Sequence, residues 1–174
     1  MLTLIIGGAR CGKSRFAQSL GREAERPAYI ATARPEDAEM EARIARHREE
    51  RPPHWITIEE PVEIARAVET YADRCDFVLL DCLTLWLSNL CAARASGLES
   101  AARDEIIRLA AASAPTHLVL VTNEVGCGIV PESALGRFFR DLQGRVNQEA
   151  ARRADAVYQL VAGIPVTIKQ GNRL

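Results

Sequence analysis

Seven short apolar runs punctuate the chain: LTLII at residues 2–6, AYIAT at 28–32, WITI at 55–58, FVLLD at 77–81, HLVLV at 117–121, VYQLV at 157–161 and PVTIK at 165–169. Between them the apolar positions take a helical spacing, which predicts helices over 13–24, 36–50, 61–73, 83–95, 99–113 and 133–154. Pro35, Pro61 and Pro131 each fall just before or at one of these starts, where a missing N–H costs nothing. FVLLD and HLVLV are apolar without alternation, as in parallel strands covered by helices on both faces. Only Ala162, Gly163 and Ile164 separate the last two runs, too few for a crossover helix, so an antiparallel hairpin is expected to close the sheet. The pattern is that of an α/β fold with a mostly parallel central sheet.

At 174 residues the chain has the length of one domain, and one nucleotide-binding unit over residues 1–174 is expected. Twenty-two Lys plus Arg against 23 Asp plus Glu leave a net charge of -1, without the basic excess of a general nucleic-acid binder. Small-molecule partners are expected instead. The five cysteines, Cys11, Cys75, Cys82, Cys91 and Cys127, form no C-x-x-C pair, which argues against a zinc site or a disulfide framework. No basic leader precedes the first apolar run and no run reaches the length of a membrane span, so a cytoplasmic protein with reduced thiols is the expectation.

The first run leads into Gly7, Gly8, Ala9, Arg10, Cys11, Gly12, Lys13 and Ser14, which match G-x-x-x-x-G-K-[ST] completely between a strand and a helix. The glycines let successive N–H groups point at phosphate oxygens, and the following helix adds the positive end of its dipole. Lys13 would reach the outer phosphates and Ser14 would ligate Mg²⁺. Such a site needs an acid at the end of a buried neighbouring strand, and FVLLD supplies Asp81. Asp81 could alternatively cap the helix that begins near Leu83.

Downstream lies RIARHREERPPHW, residues 43–55. On a helix advancing about 100° per residue, Met40, Ile44, His47 and Arg51 share a face, so His47 points with the apolar side chains. Glu39 with Arg43, and Arg46 with Glu50, have the spacing of solvated i,i+4 pairs. An inward histidine can be a hydrogen-bonded core residue. It can also attack phosphorus, forming a phosphoramidate, with Arg48 and Arg51 close enough in sequence to hold phosphates. Spacing alone leaves both readings open. His54 in a proline-rich turn and His117 at the start of a buried strand read as structural.

Taken together, GGARCGKSRFA (7–17), YIATA (29–33), EMEARIARHREERPPHW (39–55), LLDCLTLWLSNL (79–90), LVTNEVGCGIVPE (120–132) and GRFFRDLQGRVNQ (136–148) resemble the bifunctional adenosylcobinamide kinase and adenosylcobinamide-phosphate guanylyltransferase family of cobalamin biosynthesis. The resemblance runs in order over nearly the whole chain. It implies a RecA-like P-loop fold, a homotrimer and two activities. One transfers phosphate from ATP or GTP to adenosylcobinamide; the other transfers GMP from GTP to adenosylcobinamide phosphate and releases pyrophosphate. The family's guanylylated histidine falls on His47. Its GTP contacts fall on the loop from Gly7 to Ser14, on Thr32, Ala33 and Arg34, on Arg48, Glu49, Glu50 and Arg51, and on Glu59 and Asp81.

Two positions depart from the family's usual pattern: Cys11 replaces a frequent serine, and Arg46 replaces a frequent second histidine. Cys11 contributes mainly backbone N–H groups, and Arg46 leaves His47 as the one candidate in its helix. Asn123 and Glu124 follow a buried strand, where capping or a ligand contact would both be ordinary. In GRFFRDLQGRVNQ, Phe138, Phe139, Leu142 and Val146 are expected to face inward. Two rival readings remain: a plain small-molecule kinase with a structural His47, and a RecA-like motor acting on a macromolecule.

Overall fold

The structure, a computed structural model, describes residues 1–35, 37–49 and 51–171, and at Arg43 the backbone alone. The elements in chain order are β1 (Leu2–Gly7), α1 (Lys13–Leu20), β2 (Pro27–Ala31), α2 (Ala38–Glu49), β3 (Ile56–Glu59), α3 (Ile64–Tyr71), β4 (Phe77–Asp81), α4 (Leu83–Ala93), α5 (Leu98–Ala112), β5 (His117–Asn123), α6 (Ala134–Arg153), β6 (Ala156–Val161) and β7 (Ile164–Gln170). The seven strands form one sheet in the order β3-β2-β4-β5-β1-β6-β7. Every neighbouring pair is parallel except β6 with β7.

Alternation along the buried strands divides the core between the two faces of the sheet, because successive side chains point to opposite sides. Leu2, Leu4, Val78, Leu80, Leu118 and Leu120 pack with Ile64, Val68, Trp86, Leu87, Ile106, Leu109 and Val146 from α3, α4, α5 and α6. Ile5, Phe77, Leu79, Val119 and Val121 pack on the other face, with Ala17 of α1 and with Trp55. Double burial explains why the central strands read as continuous apolar runs. Helix α2 belongs to neither cluster, and none of its described residues is buried.

Local chemistry fixes the element ends more tightly than periodicity could. The helix expected over 13–24 stops at Leu20, where the Gly21 N–H turns back to the Gln18 carbonyl. A Cβ at Gly21 would stand 2.6 Å from the Phe77 ring. The α6 start is capped by the Ser133 hydroxyl, which accepts the Gly136 N–H at 3.1 Å. The closing turn is tighter than expected: Ile164 already pairs with Val161, which leaves Ala162 and Gly163 as a two-residue turn with φ of 50° and 85°.

One inward assignment is corrected. Phe138 is 46% exposed, whereas Leu142 and Val146 are buried and Phe139 packs against the core. Phe138 has the i, i+4, i+8 register of Leu142 and Val146, but it stands in the opening turns of α6, where the helix buries no residue before Leu142. The two charge pairs expected on α2 each include Arg43 or Glu50, whose side chains lie outside the described residues.

Candidate active site

The β1–α1 connection carries the phosphate loop. At Gly7 a Cβ would meet the Leu160 carbonyl oxygen at 2.7 Å and the Cys11 sulfur at 2.8 Å, so only glycine lets the loop leave the sheet there. Gly12 has φ of 97° and immediately precedes α1. From the other end of the chain the Gly163 N–H donates to the Cys11 carbonyl at 2.9 Å, bracing the loop with the C-terminal hairpin. The Lys13 side chain is buried, and its Nζ donates to the Gly8 carbonyl at 2.6 Å.

Strand β4 delivers Asp81 to the same edge. Its Oδ2 accepts the Ser14 hydroxyl at 2.9 Å and the Tyr29 hydroxyl at 2.7 Å. Asp81 therefore does not cap α4, whose N-cap residue is Cys82 and which has no side-chain cap. Burial, followed by the Asp81 charge, raises the Tyr29 phenol well above its ordinary range, so it stays protonated and remains a donor. Cys82 lies alongside, its thiol pushed up to about 11 by burial and then by Asp81. It is a protonated wall residue rather than a nucleophile.

Above these groups opens a cavity of about 280 Å³, lined by Ser14 and Asp81 and also by Ala33, His47, Arg48, Arg51 and Glu59. The apolar share of its wall includes Met40 and Ile44 of α2 and Leu85 of α4. The shared face of Met40, Ile44 and His47 thus looks into the cavity. Arg46 is exposed and absent from the wall. His47 makes no side-chain hydrogen bond to a described residue, whereas His117 bonds Thr3 and stacks edge-on against Phe77. Arg48 pairs with Glu59. The Arg51 guanidinium lies 3.6 Å from the centre of the Tyr29 ring, and its buried Nε has no partner among the described residues. A buried donor left this way is costly until an anionic acceptor reaches it.

Not every expected contact reaches the cavity. Thr32 is fully buried; its hydroxyl donates to the Cys82 carbonyl and accepts the Cys82 N–H, both at 2.8 Å. It thus clamps the ends of β2 and β4 together and has no polar side-chain atom to spare. Arg34 and Glu49 are exposed and lie outside the wall, and Glu50 lies outside the described residues. Gly8, Ala9 and Arg10 form the exposed rim of the phosphate loop, which meets the cavity at Ser14. The Asn123 backbone is held by Thr84 and Asn147, while the Glu124 carboxylate accepts the Gly126 N–H and so closes a local turn.

Tyr29, missed as a site residue by sequence reasoning, was detectable as a lone hydroxyl-bearing aromatic inside a buried strand, where such a group needs a partner.

The phosphate loop on β1, the acid on β4 and one strand between them define a RecA-like P-loop fold. Solved structures agree on that fold alone. The RadB recombinase superposes with a TM-score of 0.59 at 15% identity, over 99% of this chain and 82% of that one. An ATPase from the type III secretion system of pathogenic bacteria gives 0.56 at 11% identity, over 92% and 51%.

Sequence narrows the class. Residues 3–168 match the family described as cobinamide kinase / cobinamide phosphate guanyltransferase, and the chain belongs to it. The bifunctional adenosylcobalamin biosynthesis proteins CobU of Escherichia coli K12 and CobU of Salmonella typhimurium LT2 are 43% and 44% identical to it, each over 97% of this chain and all of the relative. The protein of that description from Pseudomonas aeruginosa, CobP, is 41% identical over 97% of this chain and 98% of its own length. The chain is accordingly a kinase and guanylyltransferase of cobalamin biosynthesis.

Proposed function

We propose that both reactions use the one cavity, the second through a guanylyl-His47 intermediate. The observation that carries this reading is the shared wall: Ser14 and Asp81, with the chemistry of phosphate-loop kinases, line the same cavity as His47, Arg48 and Arg51. In the kinase step the aminopropanol hydroxyl of adenosylcobinamide attacks the γ-phosphorus of ATP or GTP. The bond to the β-phosphate oxygen breaks, the nucleoside diphosphate leaves and the hydroxyl proton is lost. The loop N–H groups and Lys13 stabilise charge on the phosphates as that bond breaks.

In the second reaction a His47 nitrogen attacks the α-phosphorus of GTP, pyrophosphate leaves, and a phosphoramidate links GMP to the ring. Arg48 and Arg51, both in the cavity wall, bind the departing charge. An oxygen of adenosylcobinamide phosphate then attacks the same phosphorus and the P–N bond breaks. Adenosylcobinamide-GDP forms and free His47 returns. Glu59, paired with Arg48, is assigned to the GTP site with Ala33.

Ser14 and Asp81 supply hard oxygen donors 2.9 Å apart, and no group of three or more metal-ligating His, Cys, Asp or Glu side chains occurs among the described residues. Few protein oxygens and no closed cage suit Mg²⁺, which keeps water and phosphate oxygens as its other ligands. Bound there, Mg²⁺ would neutralise phosphate charge.

The decisive experiment is incubation with GTP labelled in the α-phosphate. The expected product is an acid-labile, base-stable GMP adduct that disappears in His47→Ala while nucleotide binding persists. A variant that still labels places the nucleophile on another residue and overturns the His47 assignment.

The family resemblance also supports a homotrimer. Ile164, Val166 and Ile168 are exposed along edge strand β7, as are Ile129, Leu135 and Phe138 around the start of α6. Apolar side chains exposed on an edge strand and on a loop suit contact between subunits.

A further inference from the structure

Tyr29 stands where the two chemistries of the cavity meet. It lies in β2 opposite Leu79, one pleat from the pair formed by Ala31 and Asp81, so Tyr29 and Asp81 are diagonal neighbours on one face of the sheet. The ring is buried, its hydroxyl donates to Asp81 Oδ2 at 2.7 Å, and its face carries the Arg51 guanidinium at 3.6 Å. Ser14 donates to the same Oδ2. Two donors on one oxygen fix the rotation of the carboxylate, and among the described residues no hydrogen bond falls on Oδ1. Arg51 lies two residues past the last residue of the helix that bears His47, and beyond the stacking its described anchor is Thr57 Oγ1 at 3.3 Å. A stacked guanidinium keeps its in-plane N–H groups free for anions.

We infer that Tyr29 is a positioning residue for both reactions: its hydroxyl orients the Asp81 carboxylate, and its ring seats Arg51 at the end of the His47 helix. The two functions sit on different parts of one side chain, so they separate by substitution. Tyr29→Phe keeps the seat and removes the hydrogen bond; Tyr29→Leu removes both. The inference rests on the nucleotide site proposed above.

The test is equilibrium binding of a fluorescent, non-hydrolysable GTP analogue to the full chain, titrated with Mg²⁺ in the wild type and both variants. The Mg²⁺ needed for half-maximal binding is expected to rise about tenfold in both variants, the effect of losing a hydrogen bond to a charged group. At saturating Mg²⁺, Tyr29→Phe is expected to bind the analogue as the wild type does. Tyr29→Leu is expected to bind it about tenfold more weakly, and Arg51→Ala to add little further loss in that background. A residue that only filled space would not divide the Mg²⁺ requirement from the affinity in this way.

An unchanged or lowered Mg²⁺ requirement in Tyr29→Phe overturns the hydroxyl assignment. Equal affinity of the Phe and Leu variants at saturating Mg²⁺ overturns the ring assignment. Far-UV circular dichroism controls for folding of the Leu variant, and the near-isosteric Phe variant decides its half alone. If wild-type protein takes no GMP label from GTP, the histidine reading fails while both binding measurements still decide the role of Tyr29.

Discussion

His117 and His47 are set apart by their neighbours. Burial, reinforced by the ammonium of Met1, lowers the His117 pKa from 6.5, and the nearby Asp155 opposes that shift without cancelling it. A base whose folded pKa is depressed contributes stability that is present above its unfolded pKa and lost as pH falls through the folded one. The midpoint of thermal unfolding should therefore exceed that of His117→Gln at pH 7.5, with the difference shrinking as pH falls from 6.5 towards 5. Paired melts across that range test it, and a difference that grows on acidification would refute the assignment.

What was legible at single residues depended on how local the partner was. The phosphate loop is eight consecutive positions, and its chemistry is contained in their order. Asp81 was recognisable from its strand. Tyr29 was not, since its partner lies 52 residues away and only the pairing of β2 with β4 brings them together. Thr32 was expected among the GTP contacts, and the same strand pairing consumes its hydroxyl.

At the level of elements, α2 stands apart. Helices α1, α3, α4, α5 and α6 each bury residues in one of the two core clusters, whereas the half-buried Met40, Ile44 and His47 of α2 face the cavity. Its apolar stripe resembles that of a core helix in sequence, because a cavity wall and a core impose the same 3.6-residue period. Substitutions should separate the two. Leu87→Ala, inside the core, is expected to cost about 2–5 kcal/mol of unfolding free energy. Ile44→Ser is expected to cost about 0.5 kcal/mol or less while weakening nucleotide binding. Urea unfolding of both variants, with binding measured alongside, checks the contrast. All seven strands were legible from apolar runs. Helix ends were not, since they depend on particular contacts such as Gly21 against Phe77.

For the whole molecule, parallel strands and the antiparallel closing hairpin could be read from the spacing of the runs, but the strand order could not. Nothing local to β1 specifies that β5 and β6 flank it. Assembly belongs to this scale as well. Light scattering should give a particle three times the 19.1 kDa chain. Phe138→Asp combined with Val166→Asp should shift it to the monomer while leaving far-UV circular dichroism unchanged, as both side chains are exposed in the single chain. A monomeric wild type would remove the trimer.

The flanking of β1 also bears on how the chain matures during synthesis. Strand β1, which ends in the phosphate loop, is made before every other strand described here. Yet its two sheet partners begin at His117 and Ala156, and the turn that braces the loop comes at Gly163. Contacts so distant in sequence close slowly and late. The nucleotide site is thus begun by β1 and completed only once Gly163 has been added, so a nascent chain that stops short of that turn carries the loop's sequence without its working shape.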